Sequence, residues 1–249
     1  MDASSTDLLA ADGLTDVGRQ REHNEDRFVV AHGGRLVAVA DGMGGHNAGE
    51  VAASLAIEGL IARFSPDVRE GASEVSVRLA EAIRHANARV RAASAAKRAL
   101  RGMGTTIVAA AFGRGAAAIA HAGDSRAYLL RRGALLRLTR DHSLREAMAA
   151  LPAARDLSPD EIAAVPGNVI LRALGSADDI AIETSILELE AKDRILLCSD
   201  GLSGMMSDGA IQSVLVACPE RTKALAELVR FANEAGGADN ITAVLVDVG

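Results

Sequence analysis

The sequence predicts an α+β fold in which two antiparallel β-sheets pack together with helices on their outer faces. Three observations predict it. Short apolar, β-rich runs such as "RFVVAH", "RLVAVAD", "RILLCSD" and "ITAVLVDV" crowd both halves of the chain. Closely spaced turn residues separate four more such runs in the middle. Stretches with helical spacing lie before and between these groups. No repeat, linker or low-complexity tract divides the 249 residues, so one domain over 1–249 is expected.

In order, "RFVVAH" and "RLVAVAD" flank His32-Gly33-Gly34-Arg35 and read as a hairpin. A helix begins near Asn47 or Ala48 and runs to about Phe64, where Ser65-Pro66 ends it. A second helix covers about Glu74 to Ala95, with Val75, Leu79, Ile83, Ala86 and Val90 on one face. "GTTIVAAAF", "AAAIAHAG", "SRAYLLRR" and "ALLRLT" follow as an antiparallel meander, separated by Gly113-Arg114-Gly115, Gly123-Asp124 and Arg132-Gly133. Residues 141 to about 175 are irregular, broken by Pro152, Pro159 and Pro166, and so long a segment between strands is more often functional than idle. The chain closes with "IAIETSILEL", "DRILLCSD", helices over about 207–217 and 220–235, and "ITAVLVDV".

Composition removes several function classes. Aromatics are only 2% of the chain, which leaves no stacking platform for single-stranded nucleic acid. A net charge of −6 disfavours phosphate-backbone binding. The basic stretch "RVRAASAAKRALR" (89–101) reads as a solvated helix end. Cys198 and Cys218 are the only cysteines and show no Cys-x-x-Cys spacing, so neither a disulfide framework nor a zinc site is expected. The most apolar stretch, "IVAAAFGRGAAAIAHAG", is broken by Arg114 and glycines and is not a membrane span. The acidic N-terminus lacks the pattern of a signal peptide, and a cytoplasmic location is expected.

The acids fall at strand tips. Asp41 ends "RLVAVAD", Asp200 ends "RILLCSD", Asp124 follows "AAAIAHAG", Asp239 precedes the last strand, and Glu25-Asp26 precede "RFVVAH". Each alone also reads as a turn residue or a helix cap, and Asp141 in "TRDHS" reads as such a cap. Together they form a different pattern. Clustered carboxylates repel one another unless a divalent cation neutralises them. Oxygen ligands without Cys or His select magnesium or manganese over zinc.

The glycines of "VADGMGGHNAGEVAAS" (39–54) mark a place where the backbone turns sharply or is closely approached. The run fits neither a dinucleotide fingerprint, because Asn47 stands where the third glycine is needed, nor a P-loop, because Lys-Ser/Thr is missing.

"GRQREHNEDRF", "VADGMGGHNAGEVAAS", "GMGTTIVAA", "HAGDSRAYLLRRGALLRLTRDHS", "NVILRALG", "CSDGLSGMMSD" and "GGADNITAVLVDV" occur in the order seen in metal-dependent protein phosphatases of type 2C. The chain resembles the compact bacterial serine/threonine members from about Gly13 to Gly249. The resemblance implies two packed antiparallel sheets flanked by helices, with two or three Mn2+ or Mg2+ ions at one end. By the same likeness Asp41 bridges two ions and the carbonyl of Gly42 binds one. Asp200 and Asp239 serve the first ion, Glu25 the second, and Asp124 with Asp200 a weaker third. Asp26 and Asn240 orient bound waters, and Arg21 grips the substrate phosphate. No protein nucleophile is implied, in keeping with Cys198, whose sixth following residue is Gly204 instead of the arginine of a Cys-x5-Arg loop.

The chain departs from the family's pattern in places. Met43 stands where some relatives carry a histidine proposed as general acid, and His46 nearby reads as a loop residue. The segment after Asp141-His142-Ser143 matches a flap beside the active site. There Val165 and Leu171 replace residues common in bacterial relatives, which bears on substrate contact and not on catalysis.

The resulting expectation is a monomeric protein-serine/threonine phosphatase opposing a bacterial serine/threonine kinase and acting on that kinase and its substrates. Two alternatives stand beside it. One is a non-catalytic regulator of the same fold that binds phosphoproteins or a kinase, favoured only if a metal carboxylate were missing. The other is a phosphatase of anti-sigma-factor antagonists, a branch that commonly carries sensor or membrane segments.

Overall fold

Alternation within each strand decides how the layers stack. The computed structural model describes residues 9–44, 48–67, 69–151, 157–158, 161–162 and 164–249. Its strands are β1 (Leu9–Asp16), β2 (Arg27–Ala31), β3 (Leu36–Ala40), β4 (Gly42–Met43), β5 (Gly104–Thr105), β6 (Ile107–Phe112), β7 (Ala116–Ala122), β8 (Arg126–Arg131), β9 (Ala134–Arg137), β10 (Glu183–Glu188), β11 (Arg194–Cys198) and β12 (Ile241–Val248). The helices among these residues are α1 (Ala48–Arg63), α2 (Ala72–Ala96), α3 (Leu144–Ala149), α4 (Asp200–Ser203), α5 (Asp208–Ala217) and α6 (Arg221–Glu234). One antiparallel sheet runs β1-β12-β11-β8-β9, the other β10-β7-β6-β3-β2, and β4 and β5 form a short ribbon.

In β3, Val37 and Val39 face the opposite sheet, where they meet Ile195, Leu197, Val244 and Val246. Leu36, Ala38 and Ala40 face the other way, into a core shared with α1 and α2. In β12, Ala243 and Leu245 turn outward to pack with Ile211, Leu225 and Leu228 of α5 and α6. This period-2 exchange makes four layers: helices, sheet, sheet, helices. Alanine at the outward positions of β3, β6 and β7 lets α1 and α2 lie close to the sheet. Each fully buried Val, Leu or Ile contributes about 1.5–3 kcal/mol. No helix among the described residues is long and apolar enough to cross a membrane.

The expected hairpin forms, with β2 paired to β3 across a 3-10 turn at His32–Gly34. The expected four-strand meander does not form: β6-β7 and β8-β9 are separate hairpins in different sheets, because the chain crosses from one sheet to the other at Gly123–Ser125. Four further differences have physical causes. "GTTIVAAAF" is not one strand: it breaks at Thr106, whose N–H turns aside to the Asp41 carbonyl at 2.8 Å. "LAADGLTD" becomes the edge strand β1 although it lacks β-branched alternation, because β12 offers its backbone along the full length. Asp200 opens the short helix α4. Asp141 caps no helix: Ser143 caps α3, and Asp141 receives Arg126 at 2.7 Å together with Arg137. The helix start at Asn47 lies outside the described residues, as do His46, Pro152 and Pro159.

Candidate metal centre and active site

Strand pairing delivers the acids to one place. β2 sets Arg27 opposite Ala40 of β3, so Glu25 and Asp26 enter beside Asp41 as it leaves. β11 sets Cys198 opposite Ala243 of β12, which brings Asp200 beside Asp239 and Asn240. β6 sets Ile107 opposite Ala122 of β7, with Asp124 just beyond. The three pairs open onto a single cleft of about 330 Å³ between the sheet ends. Glu25, Asp41, Asp124, Asp200 and Asp239 line it, with Arg21, Gly42 and Asn240. A larger groove of about 560 Å³, around Met205, Met206 and Phe231, carries no titratable side chain, so size alone does not mark the chemistry.

Asp26 is placed differently. It sits behind the cleft, 1% exposed, and its Oδ2 accepts the Ser199 hydroxyl at 2.7 Å. Asn240 has its whole side-chain amide engaged: Oδ1 accepts the Glu25 N–H at 2.8 Å, and Nδ2 donates to the carbonyls of Val17 and His23 at 2.9 Å. Its own N–H donates to Asp239 Oδ1 at 2.8 Å. One asparagine therefore ties the loop carrying Arg21 and Glu25 to the start of β12. The Asp41 backbone is fixed just as closely, its N–H donating to Thr106 Oγ1 at 3.0 Å and its carbonyl accepting the Thr105 hydroxyl at 2.9 Å.

Two glycines are required by close approach. A Cβ on Gly42 would collide with the Gly49 carbonyl and stand 2.7 Å from the Glu25 carbonyl oxygen. A Cβ on Gly49 would stand 2.7 Å from Glu25 Cδ. Glycine at both positions lets the Asp41–Gly42 turn, the first turn of α1 and Glu25 pack closely together.

The electrostatics mark a site built for positive charge. Burial, then the nearby Asp26, Asp200 and Asp124, pushes Asp41 well above the usual carboxylate range. Asp124 is pushed up to about 7 by burial and by Asp200, and Asp26 to about 7 chiefly by burial. Glu25 and Asp200 are also raised, mainly by burial. Oδ1 of Asp26, Asp124 and Asp200 is buried without a hydrogen-bond partner. Unpartnered buried carboxylate oxygens are costly, and an all-oxygen donor set of this kind suits a hard divalent ion. Arg21 is the cleft's cation, its Nη2 2.7 Å from Asp239 Oδ2.

Sequence reasoning did not single out Asn168 and Ile170, which reach the cleft from the irregular segment, beside Met43. They lie within "NVILRALG", but no periodicity sets them apart. Val165 and Leu171 do not line the cleft. The Val165 carbonyl accepts Arg145 Nε at 2.8 Å, and Leu171 lines a neighbouring cavity of about 210 Å³ with His142 and Arg172. Beside that cavity, His121, His142 and Glu183 bring ligand-type atoms within 4.8 Å of one another.

A family model of protein phosphatase 2C matches residues 17–246. The chain belongs to the protein phosphatase 2C family. It is 36% identical over 244 residues to the serine/threonine phosphatase Stp of Listeria monocytogenes, covering 96% of each chain. The crystal structure of the Mycobacterium tuberculosis serine/threonine phosphatase PstP/Ppp superposes with a TM-score of 0.87 at 36% identity, over 96% of this chain and 98% of that one. A catalytic domain of PstP solved in complex with two manganese ions superposes at 0.82 with 37% identity, over 96% of this chain and 97% of that one.

Proposed function

We propose that this protein is a metal-dependent serine/threonine phosphatase that hydrolyses phosphoserine and phosphothreonine in proteins. One observation carries the reading. Five carboxylates from separate chain segments meet in one cleft, with buried oxygens left unpartnered and an arginine at the mouth. The similarity to named bacterial serine/threonine phosphatases supports the substrate class.

Two or three Mn2+ or Mg2+ ions fit this donor set. Asp41, Asp200 and Asp239 would hold one, Glu25 and Asp41 a second, and Asp124 with Asp200 a third, with the Gly42 carbonyl serving one of the two ions that Asp41 shares. Such ions supply Lewis acidity, which activates water and draws charge from the phosphoryl oxygens. The chain's own groups do the rest. Arg21 leaves Asp239 to grip the phosphate and carries charge that develops on it. Thr105 and Thr106 fix Asp41, while Asn240 fixes Glu25 and Asp239. Ser199 holds Asp26 behind the cleft. No protein nucleophile is needed, and Cys198 is fully buried with its thiol pushed up to about 12 by burial. Met43 offers no proton where it lines the cleft, so the proton for the leaving alkoxide comes from water or from another group of the cleft.

The partners are a bacterial serine/threonine kinase and that kinase's substrates in the cytoplasm, met by a monomer. A single catalytic domain spans 1–249, with a flap over about 141–175. Phosphate release from phosphothreonine and phosphotyrosine peptides, after metal stripping and Mn2+ addition, tests this reading. Mn2+-dependent release from phosphothreonine alone supports it. Absence of release from any phosphothreonine or phosphoserine peptide, with metal bound, would favour a binding protein.

A further inference from the structure

His142 stands outside the cleft at the root of the flap segment, 8% exposed, and joins three parts of the molecule. Its backbone N–H donates to the Gly123 carbonyl at 2.9 Å, and its Nδ1 accepts the Gly123 N–H at 3.2 Å. Gly123 is the residue before Asp124 and has φ +120°. The His142 carbonyl accepts the Leu171 N–H at 2.7 Å, and Ser143 bridges to Ile170, which lines the cleft. The ring stacks on His121 at 4.5 Å between centroids and 13° between planes. Its Nε2 lies 3.2 Å from Oε2 of Glu183, the first residue of edge strand β10.

These contacts assign the ring's tautomer. Nδ1 accepts from Gly123, so the neutral imidazole carries its proton on Nε2, toward Glu183 Oε2, and Arg172 Nη1 at 3.1 Å is then a neighbouring cation and not a donor to that nitrogen. A metal ion does not suit the His121–His142–Glu183 trio. Arg172 Nη1 stands 3.1 Å from His142 Nε2, and His121 Nε2 is already bonded to the Arg140 carbonyl at 2.8 Å.

We infer that His142 is a positioning residue: its imidazole sets the Gly123–Asp124 turn, and its backbone ties that turn to the Ile170 edge of the flap, in one geometry against the cleft. The inference rests on the phosphatase reading and adds to it a residue that touches neither phosphate nor cation. An N–H held by Nδ1 fixes the plane of the peptide entering Gly123. With the Gly123 torsions set, that plane fixes the direction in which Asp124 leaves. The same residue's carbonyl holds residue 171, so Asp124 and the flap cannot shift independently.

The test uses His142→Asn, His142→Gln and His142→Ala in the full chain, assayed on a phosphothreonine peptide across Mn2+ concentrations. Asparagine places Oδ1 near the position of Nδ1 and can still accept from Gly123. Glutamine reaches toward the Nε2 position and cannot, and alanine offers nothing. His142→Asn is expected to retain native activity and native Mn2+ demand. His142→Gln and His142→Ala should lose about tenfold or more in kcat/KM, as outer supports of metal sites do, and require more Mn2+. A role in filling space alone would predict equal loss in Asn and Gln, and that result, or full activity in all three, would overturn the inference. A second measurement needs no variant: a trans-hydrogen-bond N–N coupling between the Gly123 amide and His142 Nδ1, read by NMR on the native protein. Its absence would also overturn the inference. An inactive native enzyme would instead overturn the phosphatase reading, which keeps the two failures apart.

Discussion

Arg21 Nη2 and Asp239 Oδ2 stand 2.7 Å apart at the mouth of the cleft, with 51% and 34% of the two side chains open to water. An ion pair this exposed is worth at most about 1 kcal/mol. Arg21 therefore gives up Asp239 at little cost when a phosphate dianion offers a better partner. Arg21→Ala should lower kcat/KM on a phosphopeptide by about 10–100-fold, the loss of charge-assisted bonds worth roughly 1.5–3 kcal/mol. Steady-state kinetics beside Mn2+ calorimetry checks this: phosphate handling should fall while tight Mn2+ binding persists.

Gly49→Ala tests the place of Glu25. Alanine is the better helix former by about 1 kcal/mol, so α1 alone would gain from the change. The added methyl would meet the Glu25 carboxyl at 2.7–2.8 Å and push it from its place. The expected outcome is about tenfold weaker Mn2+ binding, read by calorimetry, with any helix gain in α1 offset by the displaced Glu25. A variant with native Mn2+ affinity would show that Glu25 has no part in holding the ion.

The buried acids set a pH dependence of definite sign. Asp26 and Asp124 are raised to about 7 in the fold, mainly by burial, against about 3.9 in the unfolded chain. Between those values the folded state binds more protons, so its stability falls as pH rises through 7. Without divalent ions, Tm at pH 8 should lie below Tm at pH 5 by about 4 °C or more, the effect of roughly 2 kcal/mol in a chain of this size. Mn2+ should raise Tm more at pH 8 than at pH 5, because it neutralises the same carboxylates. The opposite ordering in a melting series would contradict the charge assignment.

Much of this site was legible in the sequence because a strand's apolar run ends where its core contact ends. The acid beyond each run then marks a sheet edge, and Asp41, Asp124, Asp200 and Asp239 all fell at such ends. What stayed hidden depends on partners distant in the chain. β1 is a strand because β12 pairs with it, not because "LAADGLTD" has strand character. Thr106 breaks the run after Gly104 because its N–H and hydroxyl are taken by Asp41. Asp141 looked like a cap, and only Arg126 and Arg137 on neighbouring strands show what holds it. Asn168, Ile170 and His142 come from the irregular segment and its root, where no period points to a face.

The cysteines supply a negative test. Cys198 is fully buried, and Cys218, half-buried, lies away from the cleft at the end of α5. Iodoacetamide should alkylate Cys218 at most and leave phosphate release unchanged. Inactivation that substrate prevents, with the label mapped to either cysteine, would point to a covalent thiol mechanism instead.

The most direct measurement is phosphate release from a phosphothreonine peptide by metal-stripped native protein and by Asp200→Asn, each titrated with Mn2+. Asparagine keeps the shape of Asp200 and removes the charge from a position where one oxygen is buried and unpartnered. Release by the native protein should appear only with Mn2+, and the variant should fall at least about 100-fold short, the loss of several kcal/mol of charge stabilisation. Native release that ignores the chelator, or an Asp200→Asn protein as active as the native one, would contradict the assignment of this cleft as a metal-dependent phosphatase centre.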